Sequence, residues 1–141
     1  MTFTQLYTFS SFDIKAHTPK IHMTHLAPIS NDFTSAIATR EFDLVQEGVN
    51  SKLRVEIGLP IQDVETLSGM DWRCPIRFVS GTSVRIQRAC GIDSVQTLQL
   101  AFKLIEYDLE KLSKLQNTQV QFLGESFALM AKAYRGKFGE I

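Results

Sequence analysis

The segment from residue 71 to residue 115 constrains the fold more than any other part of the chain. Two strand-like runs, 72–78 and 84–90, flank turn residues at 80–83, and a long amphipathic stretch begins at Asp93 and Ser94. Alternating apolar and polar residues in both runs are typical of strands with one buried face. Pro75 lacks a backbone N–H, so its strand is expected to lie at a sheet edge or to bulge there. The pattern predicts a β-hairpin followed by a helix that covers its apolar face.

Matching the apolar side chains predicts the register of this hairpin. A three-residue loop at 81–83 pairs Phe78 with Ile86 and Cys74 with Cys90, which brings the apolar residues of both runs to one face. The alternative register pairs Phe78 with Arg85 and sets the two faces against each other unless a bulge restores the match. We therefore expect the first register.

The stretch after Asp93 is predicted to be a capped helix lying on the sheet. The stripe predicted to face the sheet consists of Val95, Leu98, Ala101, Phe102, Ile105, Leu109 and Leu112. Leu100, Leu104 and Tyr107 form a second apolar patch that needs a cover. The N-terminal arm, the C-terminal segment or another subunit could supply that cover, so a homo-oligomer is one expectation.

The remaining patterns complete the predicted architecture. A first hairpin is predicted within residues 42–59, a short strand at 120–123 and a C-terminal helix beginning near Phe127, whereas Ile61, Val64 and Leu67 are spaced for a helical turn or a packed loop. We predict an α+β domain: an antiparallel sheet of about four strands in two hairpins, one long helix on one face, and a short C-terminal strand and helix. Residues 1–35 are interpreted as an N-terminal arm and residues 36–141 as the single domain.

Composition narrows the classes of function. Fifteen basic and fifteen acidic residues cancel, so no overall field favours nucleic acid, and nucleic acid is not an expected partner. No stretch approaches the ~18 apolar residues of a membrane span, and the N-terminus lacks the pattern of a secretory signal. Two cysteines do not make a disulfide scaffold. A cytoplasmic protein that does not associate with membranes is predicted.

Several blocks of the sequence resemble a family of small bacterial domains of unknown function. The most specific are the Trp-Arg-Cys-Pro block at 72–75 and the capped helix start at 91–101; the runs at 37–42 and 122–125 agree with them. The resemblance covers residues 36–125. It implies a bacterial source and a compact domain, and it implies no activity.

Cysteines and histidines are the first candidates for chemistry. Cys74 and Cys90 would be a redox pair or a nucleophile if they formed a thiolate, but their apolar neighbours favour two buried, inert thiols. His17, His22 and His25 lack the further ligands of a closed metal site. We predict no catalytic residue, no metal site and no cofactor.

Arginines supply the leading functional hypothesis. Arg54, Arg73, Arg77 and Arg85 are all predicted to project from the solvent-exposed face of the sheet, where guanidinium groups can dock an acidic partner. The simpler interpretation is an exposed face whose arginines pair with carboxylates across strands. We predict a non-enzymatic protein-binding module, of the immunity or inhibitor type, that acts by contact. The alternative is an enzyme or small-ligand-binding protein with a pocket near Trp72, Cys74 and Cys90.

Overall fold

The computed structural model describes residues 25–127 of the 141-residue chain. The described residues form seven strands and one helix: β1 Ala36–Gln46, β2 Val49–Gly58, β3 Ile61–Thr66, β4 Gly69–Ser80, β5 Ser83–Gly91, α1 Ser94–Ser113, β6 Thr118–Phe122 and β7 Glu125–Ser126. All seven strands belong to one sheet, and every pairing in it is antiparallel. The predicted α+β class is confirmed, but the expectation of about four strands was too low.

Two strands were not expected: β7, which pairs with β6, and β3, which shares one edge of β4 with β2. β2 pairs with the second half of β4 and β3 with the first half, while β5 runs along the opposite edge. The run that includes Ile61 and Val64 is therefore a strand and not the expected helical turn. Pro75 lies between the two pairings, where its missing N–H removes no ladder bond. A Cβ at Gly58 would lie 2.6 Å from the Pro75 ring, so this close approach requires glycine.

The hairpin of β4 and β5 has the register that we did not expect. Its loop contains only Gly81 and Thr82, and Phe78 pairs with Arg85. Gly81 has φ +58° and Thr82 is not among the residues with positive φ, which is the pattern of a type II′ turn with glycine first. This turn fits the twist of a hairpin, and the register prediction from apolar matching was wrong.

The two faces of the sheet have different surroundings. The face toward α1, called the helix face, carries the buried core residues Phe42, Leu44, Leu53, Val55, Ile57, Cys74, Ile76, Phe78, Ala89 and Val120. Because side chains alternate along a strand, the opposite face, called the back face, carries Arg54, Glu56, Arg73, Pro75, Arg77, Val79, Val84, Ile86, Arg88 and Cys90.

Helix α1 is capped as predicted, but the stripe of residues that faces the sheet differs from the predicted stripe. The Asp93 side chain accepts from the Gln96 N–H at 2.7 Å, and the Gln96 side chain accepts from the Ile92 N–H at 2.9 Å. Ala101 and Leu109 are buried in the core, whereas Phe102 is 58% exposed. The helix therefore contacts the sheet through a stripe that excludes Phe102 and Val95.

Residues 27–35, called the strap, lie across the back face. The Ala27 N–H donates to Glu65 at 2.9 Å, and the Leu59 N–H donates to the Ser35 carbonyl at 3.2 Å. Between these ends, Phe33 lies under the Arg77 guanidinium, 4.3 Å from ring centroid to Cζ. The part of the predicted N-terminal arm that the structure describes thus packs on the sheet.

The C-terminal part extends the sheet on its other side. β6 pairs with β1, which confirms the short strand predicted near Val120, and Phe127 packs edge-on against Phe42. The rest of the predicted C-terminal helix lies outside the described residues. Within residues 25–127, no helix is long and apolar enough to cross a bilayer.

Candidate functional site

Arg73 is buried under the strap and is not available to a partner. Its side chain is 1% exposed. It donates to both carboxylate oxygens of Asp63, at 2.9 and 2.7 Å, and to the Asp32 carbonyl at 2.7 Å. The hydrogen bonds from Arg73 lower the pKa of Asp63, and those same bonds raise the pKa of Arg73. The prediction that Arg73 projects into solvent was wrong because the strap covers this part of the back face.

Arg54 and Arg77 do lie on the back face, and they share one carboxylate. Glu56 lies between them, is buried, and accepts from the Nε of both guanidiniums, at 3.0 Å from Arg54. The bond from Arg77, followed by the charges of both arginines, lowers the pKa of Glu56 against the effect of burial. Arg54, Arg77 and Glu56 together carry a net positive charge, and Glu41 lies opposite Arg54 on β1. A partner-binding role for Arg54 and Arg77 stays a prediction.

Arg85 is on the helix face and not on the predicted exposed face. The observed register places it opposite Phe78, with its guanidinium 4.3 Å from the Phe78 ring centroid. Its two terminal nitrogens each lie 3.1 Å from one oxygen of Asp108 on α1. Arg85 therefore joins β5 to the helix.

Sequence reasoning missed the residues that the register brings to the back face. Val84 and Ile86 were expected in the core, but they are 57% and 36% exposed. Val79 pairs with Val84, and Arg88 donates to the side-chain oxygen of Asn31 in the strap. The signal that could have revealed this was the Gly-Thr pair, whose glycine suits the first position of a two-residue type II′ loop.

The two cysteines lie on opposite faces of β4 and β5, so they do not form the expected cross-strand pair. Cys74 is fully buried, its Sγ donates to the Gly58 carbonyl at 3.6 Å, and burial raises the pKa of its thiol to about 11. Cys90 pairs with Arg73 on the back face. The Cys74 thiol is protonated at neutral pH, which is unfavourable for a nucleophile.

No metal cluster accompanies Trp72, Cys74 and Cys90 in the described part of the chain. His25 is exposed, no group of three potential ligands occurs among residues 25–127, and His17 and His22 lie outside that range. An open depression exists at the β1–β2 turn and the start of β6. It is lined by Val45, Gly48, Asn117, Thr118 and Gln119.

The proposed oligomer patch on α1 is divided in the structure. Leu104 packs against the core, while Leu100 and Tyr107 are exposed. A role in self-association stays a prediction for the exposed pair.

Comparisons with known proteins identify a family without a known activity. No curated protein and no solved structure matches the chain. A family model described as a domain of unknown function (DUF6968) matches residues 38–131, which is more than half of the sequence. This range includes the Trp-Arg-Cys-Pro block in β4 and the start of α1, which are the most specific blocks of the resemblance. The chain belongs to the DUF6968 family.

Proposed function

We propose that this chain is a non-enzymatic protein-binding module that holds an acidic partner against the part of its back face that borders the strap. We call this part the β5-side surface. It consists of Arg54, Arg77, Val79, Val84, Ile86 and Arg88. The observation that carries the proposal is an exposed apolar centre bordered by guanidiniums, one of which, Arg88, is bound to a neutral amide.

The charge of the β5-side surface favours an acidic partner. Arg54 and Arg77 share the single carboxylate of Glu56. Arg88 donates to Asn31, a neutral amide, so this bond leaves its charge uncompensated. Arginine forks bind carboxylates in two-point geometry. Acidic side chains of a partner would therefore complete the pairing on this surface.

The apolar centre supplies area that becomes buried on binding. Val84 and Ile86 are adjacent on the back face of β5, and half-buried Val79 lies across from Val84 on β4. An apolar centre with a charged, hydrogen-bonding rim is the usual composition of a protein–protein contact. Such a module can neutralise a partner by covering it, as immunity and inhibitor proteins do.

The state of the cysteines supports a binding role in a reducing compartment. Cys74 and Cys90 are both free, and Cys74 is buried and protonated. The buried, protonated thiol of Cys74 is a poor nucleophile, and the two cysteines lie on opposite faces of the sheet, where they do not pair. A cytoplasmic location is part of the proposal for this reason.

Affinity capture from a lysate of the source organism, with matched variants, tests the proposal. In the Arg54→Ser/Arg88→Ser variant Glu56 keeps its bond to Arg77, so the fold should persist, and circular dichroism checks this. The control is Lys103→Ser, which removes an exposed cation from α1. We expect a protein captured by the wild type and by the control to be lost with the double variant. Equal capture by all three would contradict the proposal.

A further inference from the structure

β5 has an open edge in the part of the chain that the structure describes. All nine of its residues pair with β4, and no strand pairs with its other side. Unpaired edges usually carry proline, a bulge or charged side chains that prevent another strand from adding. β5 has neither proline nor a bulge, and its register with β4 is unbroken from Ser83 to Gly91.

The backbone groups that face this edge can be identified from Pro75. Opposite residues in an antiparallel ladder alternate between pairs that exchange two N–H···O=C bonds and pairs that exchange none. Pro75 has no N–H, so its pair with Arg88 is of the second kind. By alternation, the N–H and C=O groups of Val84, Ile86 and Arg88 point away from β4. No described residue forms a hydrogen bond with them.

The two charged side chains of β5 do not block the edge. Arg85 is bound to Asp108 on the helix face, and Arg88 is bound to Asn31 of the strap. The Arg85 guanidinium therefore lies on the helix face and the Arg88 guanidinium lies on the back face. Neither projects from the edge of β5.

We infer that the open edge of β5 takes up an extended segment of the partner as an antiparallel strand. This inference rests on the proposed function and states how the partner would be held. Backbone hydrogen bonds to Val84, Ile86 and Arg88 would provide affinity, and alternate side chains would provide specificity. On the back face, the added strand would place an acidic residue near Arg88 and apolar residues beside Ile86 and Val84.

A second copy of this chain fits the edge poorly. Two β5 strands paired about Gln87 would place Arg88 of each copy opposite Ile86 of the other. The two Arg88 side chains would then be diagonal neighbours on the back face, with no carboxylate in β5 between them. Diagonal neighbours are within reach of long side chains, so these two charges would repel each other. The charge of the edge therefore favours an acidic segment from another protein.

A synthetic peptide tests the inference directly. The acetylated and amidated sequence Ser-Asp-Thr-Val-Thr-Ile-Ser places Asp opposite Arg88, Val opposite Ile86 and Ile opposite Val84 in an antiparallel strand. In a titration followed by amide NMR, we expect the largest shifts at residues 84–88. The reversed sequence, which has the same composition, should bind more weakly.

Backbone methylation of the peptide separates strand addition from side-chain contact. The Val N–H would point at β5 and the N–H of the following Thr would point away. N-methylation at Val should weaken binding by about tenfold or more. N-methylation at that Thr should have a much smaller effect. Equal effects of the two methyl groups, shifts elsewhere on the protein, or no binding by the parent peptide would overturn the inference.

A pair of protein variants distinguishes this inference from the proposed function. Ile86→Pro removes an outward N–H, and Ile86→Thr keeps it while changing the side chain. Both would be compared on the protein captured in the lysate experiment. Loss of binding in the Ile86→Pro variant, with binding kept in the Ile86→Thr variant, supports strand addition. If both variants bind the captured protein equally well, strand addition is wrong while the proposed function stands. If the parent peptide binds at residues 84–88 but the lysate experiment gives no capture, only the proposed function fails.

Discussion

At the scale of single residues, the buried guanidinium of Arg73 depends on Asp63 for its charge balance. Removing one partner of a buried ion pair leaves the other charge uncompensated. We predict that Asp63→Asn lowers the free energy of unfolding by about 2–3 kcal/mol in urea titrations, less than for a fully buried pair because the Asp63 side chain is 33% exposed. The control is Asp43→Asn, whose partner Lys52 is exposed, and it should change stability little. Equal losses in the two variants would show that Arg73 is solvated.

The thiols give a second prediction at this scale. Cys74 is fully buried with a raised pKa, whereas Cys90 is partly exposed. In the native protein we expect a thiol reagent to modify Cys90 and to reach Cys74 only after unfolding. Mass spectrometry of the wild type beside Cys90→Ser distinguishes the two sites. Fast labelling of the Cys90→Ser variant would contradict the burial of Cys74 and would favour the alternative of a ligand pocket.

The strand pattern predicts on which face of the sheet most arginines lie, but it does not predict which residues they bind. Arg54, Arg73 and Arg77 follow from strand alternation. The burial of Arg73 does not follow, because it depends on Asp32 and Asp63, which lie 41 and 10 positions away in the chain. Contacts over such separations are not encoded in local periodicity.

At the scale of elements, the register of β4 and β5 decides which residues form the candidate site. Because Arg77–Ile86 and Val79–Val84 are pairs without mutual hydrogen bonds, we expect their Cα atoms to be about 4.5 Å apart. We predict strong Hα–Hα nuclear Overhauser effects within both pairs. An effect between Phe78 and Ile86 would contradict this register and return Ile86 to the core.

The turn itself supplies an energetic test. A Cβ at Gly81 would meet no atom within 4 Å. Alanine at this position would therefore affect stability only through the energy of its backbone conformation. Because φ is +58° at this position, we predict that Gly81→Ala costs about 1–2 kcal/mol in unfolding free energy. Thr82→Ala is the control and should cost much less. A neutral Gly81→Ala substitution would argue against the type II′ turn.

The predicted register of β4 and β5 was wrong because it rested on matching apolar side chains. Apolar matching assumes that both faces of a strand differ in burial along its whole length. On β5, exposed Val84 and Ile86 lie on the back face while Arg85 lies on the helix face. A local requirement for a two-residue turn outweighed side-chain pairing, and the exception coincides with the candidate binding surface.

At the scale of the whole molecule, the class and the order of most elements follow from the sequence. Strand alternation before residue 60 predicts the first hairpin, and the cap at Asp93 predicts where α1 begins. The course of the strap was not predictable, because its contacts with Arg73, Arg77 and Arg88 involve irregular backbone. The strap matters for function because it buries Arg73 and contacts Arg77 and Arg88 at the border of the β5-side surface.

The central claim is that the β5-side surface, and not the helix, meets a partner. A photo-crosslinking amino acid at position 86, compared with the same group at position 103 on the exposed side of α1, tests it most directly. Both proteins would be irradiated in lysate of the source organism and their adducts identified by mass spectrometry. The account predicts a discrete adduct from position 86 that is absent from position 103. Equal adducts from both positions, or one from position 103 alone, would contradict it.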